Sequence, residues 1–167
     1  MTPRHERLEQ YLGQFERESE RLFLAPNTDG YWSNLSREQN AELVSLLGTR
    51  PTRECIAATQ PHHAEVIYSP KRAAALELLQ LDGTEVAVDL GCMWGAITIP
   101  LTKQAGRVLG VDQTIESLKF TEARAVEEGL DNVSLLRGNL RDLRDLGALG
   151  DLRDLRDLRV LGNLRDL

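Results

Sequence analysis

Apolar positions recur at helical spacing near the start of the chain. Over residues 4–24, Leu8, Tyr11, Leu12, Phe15, Leu22 and Phe23 fall on one helical face, with Glu and Arg on the other. Ser36-Arg-Glu-Gln39 has the form of a capping box and predicts a second helix carrying Leu43, Val44, Leu46 and Leu47. Between them APNTDGYW is turn-rich, and in residues 49–68 the only extended pattern is a short strand at Glu65–Tyr68. Residues 1–68 are thus expected to form a helical extension or cap.

The middle of the chain alternates cleanly. Ser69-Pro70 predicts a helix start, followed by KRAAALELLQL and a stop near Asp82-Gly83. An apolar run over Glu85–Leu90 leads into a glycine turn and a helix through about Ala105. Arg107–Val111 is a second run, Thr114–Glu128 a helix ending at Gly129, and Val133–Leu136 a third run. Strands alternating with helices predict an α/β fold, with a parallel sheet between helical layers. Val86, Ala87, Val88 and Leu90 are apolar on both faces, as a strand covered on each side requires.

From Leu140 onward the pattern changes. Leucine occupies every third position to Leu167, a period that drifts by about 60° per repeat on an α-helix and fits no strand. Gly147, Gly150 and Gly162 interrupt any helix, and the six Arg and six Asp between 141 and 166 cancel. Residues 143–167 are expected to be a low-complexity Leu-Arg-Asp tail, the product of a short DNA repeat expansion, and not an independent domain.

Composition narrows the picture only a little. A chain of 167 residues fits one domain. Its net charge of −6 argues against a broad nucleic-acid footprint. Cys55 and Cys92 match no zinc spacing and suit a reducing compartment. The charged N-terminus predicts neither signal nor transit peptide, and no apolar run approaches the ~20 residues needed to cross a bilayer. A cytoplasmic protein, with no membrane or nucleic-acid partner and no metal, is the expectation.

Candidate chemistry gathers at the ends of the three runs. Gly91 and Gly95 permit a tight turn and close approach of a ligand to the main chain. Asp89 at the end of the first run suits a cationic group such as an α-ammonium. Asp112, 21 residues after Gly91, is placed either to accept hydrogen bonds from ribose hydroxyls or to cap the helix near Thr114. Asn139, in Gly138-Asn139-Leu140, suits an adenine edge or a routine turn. Trp94 either meets the ligand or packs on its neighbours, and the Cys92 side chain reads as a small core residue. His62 and His63 have no third ligand in view and read as a solvated loop pair, while Lys71 and Arg72 belong on an exposed helix face. The ligand so outlined has an ammonium, a ribose and an adenine.

Val86–Leu140 resembles the first half of the class I S-adenosylmethionine-dependent methyltransferases. The resemblance rests on Asp89-Leu-Gly91-Cys-Met-Trp-Gly95, on Asp112, on Gly138-Asn139-Leu140 and on the helix text QTIESLKFTEARAVEEGLDNVSLL, and it covers roughly residues 65–142. It implies a Rossmann-like half-domain over 69–142 that binds S-adenosylmethionine through Asp89, Gly91, Cys92, Gly95, Asp112, Gln113, Asn139 and Leu140. YSPKRAAAL resembles methyltransferases of glycan or surface-polysaccharide pathways, which implies a glycan-related or small-molecule acceptor. Met93 departs from the family's central glycine, so a different backbone is expected there, and Asn139 replaces the commoner aspartate. Family members continue with a fourth strand beside the first. Here the triplets begin instead, so an open sheet edge, self-association and an unidentified catalytic residue follow. Three alternatives remain: a non-catalytic half-domain that only holds the cofactor or a remnant that does nothing, a nicotinamide-binding half, which would require G-x-G-x-x-G, and an interaction module built on the leucine tail.

Overall fold

The computed structural model describes residues 3–26 and 35–140. Most of APNTDGYW and the whole tail over 143–167 lie outside the described residues. The elements run α1 (Pro3–Leu12), β1 (Glu16–Arg17), β2 (Leu22–Leu24), α2 (Arg37–Leu46), α3 (Thr52–Thr59), α4 (Pro61–Ile67), a 3₁₀ helix (Pro70–Leu79), β3 (Val86–Leu90), α5 (Thr98–Leu101), β4 (Arg107–Asp112), α6 (Ile115–Glu127) and β5 (Val133–Arg137).

β3, β4 and β5 are parallel, with Asp89 opposite Gly110 and Asp112 opposite Arg137, so their carboxyl ends share one edge. The sheet order is β1-β2-β5-β4-β3. β4 is central and, apart from Arg107, buried throughout. Its side chains alternate: Leu109 and Val111 meet Leu8, Tyr11 and Leu12 of α1, while Val108 packs with Ile99 of α5 and Leu118 of α6. Each such buried side chain contributes about 1.5–3 kcal/mol. The expected α/β architecture is therefore present, with α1 on one face and α5 and α6 on the other. β3 has helices on both faces, but β4 is its one strand partner among the described residues, and Leu90 at its end is 43% exposed.

Several expectations need correction. The helix expected over 4–24 ends at Leu12. Leu22 and Phe23 instead sit in β2, which pairs parallel to β5 and, through Glu16 and Arg17, antiparallel to β1. The apolar register of Leu22 and Phe23 is satisfied by a strand more than a hundred residues away, a signal no local period carries. The short strand expected at Glu65–Tyr68 is helical, because Pro61 opens α4 and Ala64 and Ile67 turn inward together. His62 and His63 are thus on a helix rather than a loop. The helix after the glycine turn spans only Thr98–Leu101, since Pro100 supplies no amide and the chain leaves in turns toward Gly106. The helix from Ser69-Pro70 forms with the tighter 3₁₀ winding; among its side chains Leu76 is buried and Leu78 is 82% exposed.

The capping box at Ser36 forms as expected. The Ser36 hydroxyl accepts from the Gln39 amide at 3.2 Å, and the Gln39 side chain accepts from the Ser36 amide at 2.9 Å. The α2–α4 layer packs Leu43, Cys55, Ile56 and Ile67 against Trp94 and Phe120, so it lies behind the glycine loop.

Candidate functional site

The parallel register brings the ends of β3, β4 and β5 side by side, and three short connections leave from them. Gly91 and Cys92 both donate their amides to the Val111 carbonyl, at 2.8 and 3.0 Å, which folds the loop over the end of β4. Gly91 and Gly95 hold φ of +81° and +71°. A Cβ on Gly95 would stand 2.6 Å from the Thr121 methyl, so this position needs glycine for both conformation and space.

Met93 takes φ of +45°, the left-handed region that a glycine enters without strain. The backbone at this position therefore does not avoid the glycine-type conformation; it adopts it with a methionine side chain that is 42% exposed. Side chains from the next strand and helix hold it there. The Met93 amide donates to Asp112 Oδ2 at 2.9 Å, and its carbonyl accepts from the Thr121 hydroxyl at 3.0 Å.

Asp112 is buried and does local work with both oxygens, since Oδ1 accepts from the Thr114 amide at 2.8 Å. It thus caps α6 and ties the glycine loop to β4. A carboxylate accepts about four hydrogen bonds, so capacity for further donors remains. Asp89 is half-buried, and its Oδ2 accepts from the Thr98 hydroxyl at 2.7 Å. Burial pushes its carboxyl above the ordinary carboxylate value; the charge of Asp112 adds to this and the Thr98 hydroxyl opposes it.

The other expected residues divide. Gln113 offers its carbonyl to Arg137 Nε at 3.2 Å, and the Gly138 amide returns to the Asp112 carbonyl at 2.9 Å, so the β4 and β5 turns are stitched together. Asn139 is half-buried and Leu140 exposed just beyond. Cys92 turns its thiol into the core beside Gly110. Burial, and then the charges of Asp89 and Asp112, push that thiol well above its ordinary value, so it is no nucleophile. Trp94 is buried edge-on against Phe120, with ring centroids 5.5 Å apart. Lys71 and Arg72 are exposed, and no group of three metal-ligating side chains occurs among the described residues. Nor is any helix there long and apolar enough to cross a membrane. A cavity of about 330 Å³, lined by Phe15, Leu24, Ala25, Pro26 and Arg137 among others, lies beside β2 and contains none of these candidates.

Sequence reasoning missed the residues that hold the loop from behind. Thr121 and Arg124 of α6 are buried polar groups, and Arg124 Nη1 donates to the carbonyls of Trp94 and Gly95 at 3.2 Å each. The signal was present: Ser117, Thr121 and Arg124 recur at helical spacing on the face that also carries Leu118 and Ala125.

One edge of the parallel α/β sheet thus carries an acid–glycine loop, a second strand-end acid and a Gly-Asn turn. Residues 87–152 match the family model described as a methyltransferase domain. The likeness is to methyltransferase domains and covers less than half of the chain. The chain is 25% identical to the 23S rRNA (uracil(1939)-C(5))-methyltransferase RlmD of Photobacterium angustum, over 71% of this chain and 52% of that protein. It is 35% identical to an uncharacterised RNA methyltransferase of Clostridium tetani, over 47% of this chain and 16% of that one. Among solved structures, geranyl diphosphate C-methyltransferase of Streptomyces coelicolor A3(2), in complex with S-adenosyl-L-homocysteine, is 21% identical with a TM-score of 0.44, covering 86% of this chain and 51% of that chain. The chain spans about half, or less, of the length of these relatives.

Proposed function

We propose that this domain binds S-adenosylmethionine and passes its methyl group to an acceptor. The observation that carries the reading is the meeting of Asp89, the 91–95 loop, Asp112 and Gly138-Asn139 at the carboxyl ends of three adjacent parallel strands. In this reading Asp89 takes the ammonium, and Gly91, the Cys92 main chain and Gly95 border the methionine part. Asp112, with Gln113 beside it, faces the ribose, and Asn139 and Leu140 border the adenine. The residues fit such a ligand: an acid at half-burial for the cation, a second acid with acceptor capacity for hydroxyls, and an amide next to an apolar side chain for a ring. Bound, the cofactor supplies a sulfonium methyl open to in-line attack. The chain's own part is then to orient it and keep water from it. We assign no catalytic residue.

For the acceptor, a glycan-related or small molecule is the first reading, from YSPKRAAAL. RNA is the second, favoured by the relatives named for RNA methylation and opposed by the net charge of −6. Calorimetric titration with S-adenosylhomocysteine tests the cofactor: saturable binding that is lost in Asp89→Asn supports the reading, whereas binding of NAD instead refutes it. Methyl transfer from labelled cofactor to RNA or to a glycan pool separates the acceptors. Binding without transfer to any acceptor identifies a domain that only holds the cofactor.

A further inference from the structure

Arg124 is 5% exposed, and its guanidinium sits where three elements meet. On one side Nη1 reaches the Trp94 and Gly95 carbonyls, and Nη2 lies 3.5 Å from Glu128. On the other, its Cζ stands 4.3 Å from the centre of the Tyr68 ring, while Arg53 covers that ring at 5.6 Å. The Tyr68 hydroxyl lies 2.7 Å from the Thr52 hydroxyl, and Glu127 accepts from both the amide and the hydroxyl of Thr52, at 2.8 and 2.7 Å. A continuous path therefore runs from the start of α3 through the end of α4 and α6 to the glycine loop. Arg124 Nε is buried and has no acceptor among the described residues.

We propose that Arg124 is a positioning residue: it holds the Trp94 and Gly95 carbonyls so that the glycine loop is preformed for its cofactor, and α3 and α4 set the guanidinium through Tyr68. The proposal rests on the reading of this loop as the cofactor loop. In a trans peptide the carbonyl and the following amide point in opposite directions, and no cis bond occurs among the described residues. Thr121 draws the Met93 carbonyl toward α6, and Arg124 draws those of Trp94 and Gly95. The amides of Trp94 and Ala96 are therefore turned away from α6, where they can meet a ligand. A charged donor serving two carbonyls in a buried site is stronger than a neutral one and cannot be replaced by water without opening the core. Lysine keeps the charge but lacks the planar guanidinium whose Nη1 serves both carbonyls while Nη2 turns to Glu128 and its face lies over the tyrosine.

The test uses Arg124→Lys and Tyr68→Leu with two measurements. The first is amide hydrogen exchange in the cofactor-free protein. Arg124→Lys is expected to speed exchange at Met93, Gly95 and Ile99 by about 10-fold or more, with the β4–β5 ladder unchanged. The second is S-adenosylhomocysteine titration, where the same variant is expected to weaken binding by about 10-fold. Tyr68→Leu leaves α6 intact and is expected to shift both quantities the same way by about 3-fold, so the proposal stays testable should Arg124→Lys fold poorly. Unchanged loop exchange in both variants, or faster exchange with unchanged affinity, overturns it. If the unmutated protein binds no S-adenosylhomocysteine, the cofactor reading fails, and loop exchange still decides whether Arg124 holds the loop.

Discussion

Two glycines of the same loop are needed for different reasons. Gly91 has φ of +81° and nothing within 4 Å of a would-be Cβ, so Gly91→Ala carries backbone strain alone, about 1–2 kcal/mol. Gly95→Ala adds a clash with Thr121 and Ile99, which raises the expected loss to about 2–5 kcal/mol. Urea denaturation of the two variants should show that order; equal losses would mean Thr121 is free to move. Asp89 adds a pH dependence. Its folded carboxyl titrates above the ordinary 3.8, so the folded protein holds this proton more tightly than the unfolded chain. Its contribution to stability is complete below pH 3.8 and is lost as pH rises through the higher folded value. Denaturation midpoints followed upward from pH 3.8 should show this decline in the unmutated protein and a flatter course in Asp89→Asn. Ligand affinity should move oppositely, strengthening with pH over the same window, because a cationic group needs the ionised form.

Among the elements, those with strict periods were legible and those with distant partners were not. β3, β4, β5 and α6 announced themselves through uninterrupted apolar runs and a helical stripe, each closed by glycine or a strand-end acid. Asp89, the two glycines and Asp112 followed from their place at those ends. β2 was illegible because three residues carry almost no period and their pairing lies with Leu135–Arg137. Arg124 was overlooked because a buried arginine resembles any charge on an amphipathic helix; its spacing from Thr121 and Leu118 marks the inward face, and the carbonyls it meets give its role. The edge of β3, open among the described residues, was anticipated from the absence of a fourth apolar run; Leu90 at its end is exposed, as is Leu78 of the 3₁₀ helix. Charge placed on these two positions should hinder edge pairing at little cost in stability. Sedimentation velocity is expected to show concentration-dependent association of the unmutated protein, reduced in Leu78→Lys/Leu90→Lys. An unmutated protein that stays monomeric at high concentration would count against it.

At the scale of the whole molecule, every proposed cofactor contact falls between Asp89 and Leu140. Deleting residues 143–167 is accordingly expected to leave S-adenosylhomocysteine affinity within about 2-fold, a comparison that one pair of titrations settles. The family match itself extends to residue 152, so a larger loss after deletion would assign the first leucine triplets a role in the site.

The parallel seat of β2 against β5 has a consequence for how the chain comes into being. Leu22 waits for Leu135, and Leu24 for Arg137. A ribosome synthesises the β1–β2 hairpin more than a hundred residues before its neighbour β5, so β2 spends that stretch of translation with an unpaired edge. Closing so long a loop adds entropy only logarithmically, and the delay is therefore one of time more than of energy. Nascent chains halted before Val133 should be cut readily by protease within residues 16–26, and chains extended past Arg137 should resist. During synthesis, the β1–β2 hairpin is settled only once β5 has followed it.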